Sequence, residues 1–213
     1  MNLFKKEQED VKVIRPPVLG WIEKKLSHKE MDYLWRCIDN KKESHKQYLA
    51  GNISGSFRLI DKSDWFFLNT LSSLCNRYKQ EFLDIGASIP INQKHPYFLH
   101  SFWVNYQKQT EYNPIHTHTG VFSFVVWMKI PTKFKEQNKK TISNCKNISA
   151  FQFNHLDIIG GSRPYIYEMN PEVEGTILFF PSQLPHQVYP FYNCDEERIS
   201  ISGNISLNTA KLL

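Results

Sequence analysis

Asn113-Pro114-Ile115-His116-Thr117-His118-Thr119-Gly120, running into Val121-Phe122-Ser123-Phe124-Val125-Val126-Trp127-Met128, is the stretch from which the rest of the chain can be read. Its second half is β-branched and aromatic. Two histidines two residues apart beside such a run put both imidazoles on one face of a strand or strand end. Presented that way, they can share one metal ion through ring nitrogens. The same spacing also arises by chance, so the pair alone decides little. A second stretch, Gly175-Thr176-Ile177-Leu178-Phe179-Phe180-Pro181-Ser182-Gln183-Leu184-Pro185-His186, adds a third imidazole. It is followed by Arg198-Ile199-Ser200-Ile201-Ser202-Gly203-Asn204, and the three stretches together point to one pocket.

At 213 residues the chain fits a single domain with a full core, or at most a domain with a helical extension. Apolar and aromatic contents of 41% and 14% belong to a folded protein, not a disordered one. No apolar run approaches the ~20 residues of a membrane helix. The first ten residues turn charged at once and lack a signal-peptide core, so a cytoplasmic protein is expected. Cys37, Cys75, Cys145 and Cys194 are scattered and read as free thiols. The formal charge of +5 allows an anionic partner, but no Lys/Arg stripe interleaved with aromatics argues for nucleic acid.

Residues 1–18 read as a polar arm ending in Arg15-Pro16-Pro17. Ser27-His28-Lys29-Glu30 is a capping box, and Met31, Leu34, Trp35 and Ile38 behind it predict a helix over 28–40. Residues 50–60, with Gly51 and Gly55, read as a loop. A second helix is predicted over 63–83 from the apolar face of Trp65, Phe66, Leu68, Leu71, Leu74, Tyr78 and Phe82. From Tyr97 the period changes to strands: Phe98 to Tyr106, then near 121–130, 149–154, 164–169, 175–180, 186–191 and 197–206. Many short strands without helices between them imply antiparallel sheets as a sandwich or barrel. The expected fold class is α+β, mainly β, with helices buttressing one sheet. Residues 1–94 would supply the arm and helices, and 95–213 the β core, as a single domain. The segment 132–148, rich in lysine, reads as a mobile loop, and a solvated face explains its charge. His28, His45, His95, His100 and His155 read as surface or packed residues.

Arg198 follows His186 by twelve residues, enough to leave along one short strand, turn, and return along its neighbour. On the final strand Arg198, Ser200, Ser202 and Asn204 share one face, with Ile199, Ile201 and Ile205 on the other. A polar row pointing inward is costly unless it meets water or a polar ligand. An arginine there can bind a carboxylate bidentately, with a serine hydroxyl adding a bond. The plain alternative is an exposed polar face on an edge strand.

The arrangement H-x-H … G-x-I-x-F-F-P-S-x-x-x-H … R-x-S-x-S-x-N resembles the iron(II)- and 2-oxoglutarate-dependent oxygenases. Within them it looks like the small phage-type members related to prolyl 4-hydroxylase, over residues 97–207. The resemblance implies a double-stranded β-helix, a cupin-like jelly roll of two antiparallel sheets. It implies His116 and His186 as metal ligands, and Arg198 with Ser200 on the far carboxylate of 2-oxoglutarate. Tyr106, ten residues before His116, matches a tyrosine that donates to that carboxylate; Asn105 takes its place if the strand parity is off by one. Phe102 and Trp127 are candidates to wall the pocket, with core packing as the plain reading of each. The implied cofactors are Fe(II) and 2-oxoglutarate with O2, and ascorbate as a candidate reductant. The implied activity is hydroxylation of a peptidyl residue or small molecule, releasing succinate and CO2, in the host-cell cytoplasm if the gene is a phage's. A nucleotide or nucleic-acid substrate, contacting the 132–148 segment, and a homodimer stay open.

The chain departs from this pattern at residue 118, where the usual motif carries Asp or Glu. His118 as a third ligand gives a facial triad of neutral imidazoles. If it points away, a coordination position is left for a ligand or halide. Three histidines plus water also make a hydrolytic zinc set, although a zinc hydrolase has no use for the arginine clamp. The other competing class is a catalytically silent jelly-roll binding or structural protein.

Overall fold

The computed structural model describes residues 20–89, 94–139, 141–157 and 159–211. The expected N-terminal arm with Arg15-Pro16-Pro17 lies outside them. The described chain runs β1 (Ile22–Lys25), α1 (His28–Asp39), β2 (Gly55–Arg58), a π-helical turn (Phe67–Leu71) leading into α2 (Ser72–Glu81), and α3 (Ile85–Ser88). Then follow β3 (Tyr97–Gln107), β4 (Asn113–His116), β5 (Phe122–Lys129), α4 (Phe134–Asn138), β6 (Phe151–Leu156), β7 (Ser162–Tyr167), β8 (Thr176–Pro181), β9 (His186–Val188) and β10 (Arg198–Leu207).

The strands form two antiparallel sheets, ordered β1-β8-β5-β10-β3-β2 and β4-β9-β6-β7. From β3 onward the chain crosses repeatedly between the sheets, which is the winding of a jelly roll, and the sheets do not close into a barrel. Side-chain parity decides what each strand feeds. Along β5, Phe122, Phe124, Val126 and Met128 join the core under the helices, while Val125 and Trp127 join the smaller core between the sheets. Along β8, Ile177 and Phe179 turn to the helices and Leu178 and Phe180 inward. β10 lies between β5 and β3, so its polar row faces the interior and is not the exposed side of an edge strand.

Leu34, Ile38, Leu71, Leu74 and Tyr78 pack the helices onto the large sheet. The capping box forms: the Ser27 hydroxyl accepts from the Glu30 amide, and the Glu30 carboxylate accepts from the Ser27 amide at 2.7 Å. Glu30 also accepts from Thr70 Oγ1 at 2.7 Å and Lys24 Nζ at 2.8 Å, tying α1 to the π-helical turn. Against burial that would raise it, these hydrogen bonds hold the Glu30 pKa at about 2.

Two expectations change. The segment 50–60 contains β2, whose Ser56 and Phe57 pair with Asn105 and Val104. Hydrogen bonding to a long neighbouring strand overrides the loop signal of Gly55. The segment 132–148 contains α4, and its stem is anchored by buried Asn138, which donates to Phe134 O and Ile148 O at 2.9 Å each. The short strands β1 and β4 carry too few residues to show a period in sequence. All four cysteines are free thiols, and no helix among the described residues is long and apolar enough to cross a membrane.

Candidate active site

β4 and β9 pair with His116 and His186 as cross-strand partners. Each ring is held by its own chain: His116 Nδ1 lies 2.8 Å from Pro114 O and His186 Nδ1 lies 2.9 Å from Leu184 O. A carbonyl can only accept, so both Nδ1 atoms carry the proton and both Nε2 atoms present a lone pair. His118 follows β4. Its amide donates to Ser182 O at 2.8 Å, and its carbonyl accepts from Gln183 Nε2 at 2.8 Å. Gly120 then turns the chain into β5 at φ +96°, where a Cβ would stand 2.7 Å from Ile205 O. The histidine stretch is therefore clamped between the β8–β9 turn and β10.

One ring nitrogen from each of His116, His118 and His186 lies within 4.8 Å of the others. His118 Nε2 and His186 Nε2 are 3.1 Å apart. Burial keeps the rings neutral: His118 falls to about 4, His116 lies below the ordinary 6.5, and His186 lies well below it, each disfavoured further as a cation by its histidine neighbours or partly restored by backbone carbonyls. His116 and His186 turn Nε2 lone pairs into the shared space, and His118 Nε2 either donates its proton to His186 Nε2 or, as the other tautomer, adds a third lone pair; in that second form the three-nitrogen set fits a first-row divalent ion.

The histidines line a cavity of about 410 Å³. Ser101, Trp103, Asn105 and Gln107 of β3 form one wall, with Ser200, Ser202 and Asn204 of β10 beside them. Arg198 lies behind the wall next to Gln107 and Ser200 and is 1% exposed. Its Nη2 donates to Ser149 O at 2.9 Å and Ser149 Oγ at 2.6 Å, and Nη1 donates to Gln107 Oε1 at 3.4 Å. The Phe191 ring centroid is 5.2 Å from the guanidinium. Its Nε has no partner, and no carboxylate among the described residues pairs with it. Burial alone lowers its pKa to about 9, which still leaves it charged at neutral pH.

Tyr106 is removed from the set. On β3 it faces the helical layer, edge-on to Phe57 at 6.0 Å and under Lys41 Nζ at 5.8 Å. Strand parity brings Asn105 to the cavity instead, 6% exposed and with its Oδ1 unpartnered. Phe102 likewise turns away, stacked on Phe66 at 6.1 Å, whereas Trp127 does line the cavity. Two residues read as surface belong to the rim. His45 stacks on Trp103 at 5.3 Å and 29°, and His100 also borders the opening. Nothing in the sequence around His45 signals this; the Ser44–Phe57 bridge delivers it. Trp103 and Gln107 were findable, because they share the parity of Asn105.

A search against family models matches residues 101–204 to the family described as "Putative 2OG-Fe(II) oxygenase". No curated protein matches. Among solved structures, a 2OG-Fe(II) oxygenase family oxidoreductase from Burkholderia pseudomallei is similar with a TM-score of 0.51 at 12% identity, over 84% of this chain and 79% of that one. A prolyl-4-hydroxylase from Pseudomonas putida gives 0.50 at 13% identity, over 89% and 93%. A non-heme alpha ketoglutarate dependent carbocyclase from nogalamycin biosynthesis gives 0.51 at 8% identity, over 87% and 78%. At these identities the likeness is one of fold.

Proposed function

We propose that this chain, which belongs to the 2OG-Fe(II) oxygenases through residues 101–204, is an iron- and 2-oxoglutarate-dependent hydroxylase of a peptidyl residue or small molecule. His116, His118 and His186 would hold the iron, and Arg198, Ser200 and Asn105 the cosubstrate. The observation that carries the reading is the pairing of two incomplete sites. Among the described residues, three imidazole nitrogens converge with no side-chain cation between them, and a buried guanidinium near the same cavity has no carboxylate partner.

When bound, iron and 2-oxoglutarate supply the oxidation: O2 is reduced as the oxo acid is decarboxylated to succinate and CO2, and one oxygen atom enters a substrate C–H bond. The chain's own part is positional. The carbonyls of Pro114 and Leu184 fix the tautomers of His116 and His186, so each ring meets a metal without rotating or losing a proton. Arg198 would supply the positive charge for the distal carboxylate, with Nε as the nitrogen still without an acceptor, and Ser200 on the same face would add a hydroxyl. Trp127 and Phe151, in contact at 5.3 Å, pack beside the histidines and keep water from that side. A three-histidine zinc hydrolase would share the metal set but leaves Arg198 unexplained.

The test is an anaerobic titration. Fe(II) with 2-oxoglutarate should give a visible charge-transfer band that neither gives alone, and it should vanish in His186→Ala. Absence of the band with stoichiometric iron bound would favour a silent binding protein. Zinc retained through chelator-free purification, with no band, would favour the hydrolase.

A further inference from the structure

We propose that Ser149 is a positioning residue for the cosubstrate, holding the Arg198 guanidinium in the orientation that receives the distal carboxylate. This rests on the oxygenase reading above. Ser149 immediately precedes the Ala150–Phe151 entry to β6 and is completely buried. Its φ is +69°, a left-handed conformation that any residue with a Cβ resists and that serine does not favour. Such a backbone persists only where its surroundings fix it. Here they do: the Ser149 amide donates to Pro190 O at 2.8 Å, and its hydroxyl meets Thr132 Oγ1 at 3.0 Å.

The conformation turns the Ser149 carbonyl and hydroxyl onto one nitrogen of one cation, Arg198 Nη2. Gln107 takes Nη1 and Phe191 covers a face, so the fork is held from several sides and Nε alone is left without an acceptor. All the groups that hold it are neutral. A structural arginine this deep would be expected to have a carboxylate, because neutral acceptors orient a guanidinium without discharging it. Orientation without neutralisation is what a receptor for an external anion requires: the fork is ordered before the ligand arrives, so less ordering remains to oppose binding.

Ser149→Gly tests this, because glycine accepts the positive φ and keeps the carbonyl contact while losing the hydroxyl. Ser149→Ala, which keeps the Cβ, serves if the glycine variant does not fold. Binding of 2-oxoglutarate and of pyruvate to the Fe(II)-loaded protein is measured by anaerobic calorimetry. Pyruvate has the oxo-acid end and lacks the distal carboxylate. The expected result is about a tenfold loss of 2-oxoglutarate affinity, with pyruvate and Fe(II) affinities unchanged. Equal losses for both acids would mark general damage to the cavity and overturn the assignment, as would no loss for either. Arg198→Ala in parallel separates the two readings. If it abolishes the preference for 2-oxoglutarate and Ser149→Gly leaves that preference undiminished, the serine assignment alone fails. If Arg198→Ala leaves the preference intact, the clamp reading fails and takes this one with it.

Discussion

Arg198→Met distinguishes a ligand clamp from a packing keystone. Burial lowers the Arg198 pKa from 12.5 to about 9, and at ~1.4 kcal/mol per tenfold that difference amounts to a burial cost of order 5 kcal/mol. Methionine has similar reach and no charge. Its introduction strands the Ser149 carbonyl, which costs roughly 1–3 kcal/mol as an unpaired buried acceptor, while the Ser149 hydroxyl keeps Thr132. The larger effect is removal of the buried charge, in line with the ~1–4 kcal/mol gained when buried ionic groups give way to apolar ones. The ligand-free variant should therefore unfold at the wild-type temperature or above it, by ~2–4 °C for each kcal/mol gained at this chain length. With Fe(II) and 2-oxoglutarate present the order should reverse. The wild type gains ~2.7 kcal/mol at a hundredfold excess over Kd, and the variant keeps only the share due to iron. Anaerobic scanning calorimetry of the free, iron-loaded and fully loaded proteins reads all of this. A ligand-free variant that melts some 10 °C early yet keeps its 2-oxoglutarate shift would refute the reasoning and make Arg198 structural.

His118→Ala should weaken Fe(II) binding by orders of magnitude, as much as His116→Ala does, if the 3.1 Å approach of its Nε2 to His186 Nε2 reflects a shared ion; titration with unchanged affinity would exclude it as a ligand. His118→Asp should bind Fe(II) but hold 2-oxoglutarate about tenfold more weakly than the wild type, the added anion repelling a dianion. In the metal-free protein the three imidazoles have folded pKa values below the ordinary 6.5, so the unfolded chain takes up protons first; stability should be full above pH ~6.5 and fall towards the His118 value of about 4. Urea midpoints that are equal at pH 7.5 and pH 5 would contradict this. Gly203→Ala should destabilise by roughly 1–3 kcal/mol, since its Cβ would stand 2.6 Å from the buried Phe124 ring and 2.7 Å from Ser101 O; an unchanged denaturation midpoint would show that the sheet can yield there.

What was legible in the sequence followed from patterns long enough to repeat. The alternation of β10 put Arg198, Ser200, Ser202 and Asn204 on one face and the isoleucines on the other, and the fold uses it so. The Ser27–Glu30 capping box marked the start of α1 to the residue. Tyr106 went astray because an aromatic strand offers large side chains on both faces, and only the pairing of β3 with β2 and β10 fixes which face meets the helices. His45 and Ser149 were out of reach for another reason. Each is brought in by contacts remote in sequence, pairing with Ser56 and Phe57 for the His45 segment and hydrogen bonds to Pro190 and Thr132 for Ser149. None of these contacts leaves a period or a spacing to read.

The substitution at residue 118 and the solitude of Arg198 have a common electrostatic sense. Among the described residues that line the cavity there are five histidines and no Asp, Glu, Lys or Arg. Those of the metal set are held neutral by burial. Under the proposed function the charges that matter are then few: a divalent ion that the imidazoles alone would hold, one guanidinium behind the wall, and whatever enters. A dianion answers most of that positive charge and leaves one unit over, where a carboxylate ligand at 118 would leave none. In a cavity with no other formal charge, that unit is poorly screened and acts over its full width. It would strengthen the hold on the cosubstrate at both ends at once, through the metal and through Arg198. Under the proposed function, three imidazoles with His118 as the third would hold 2-oxoglutarate more firmly than a set with a carboxylate at that position, with the same guanidinium behind the wall.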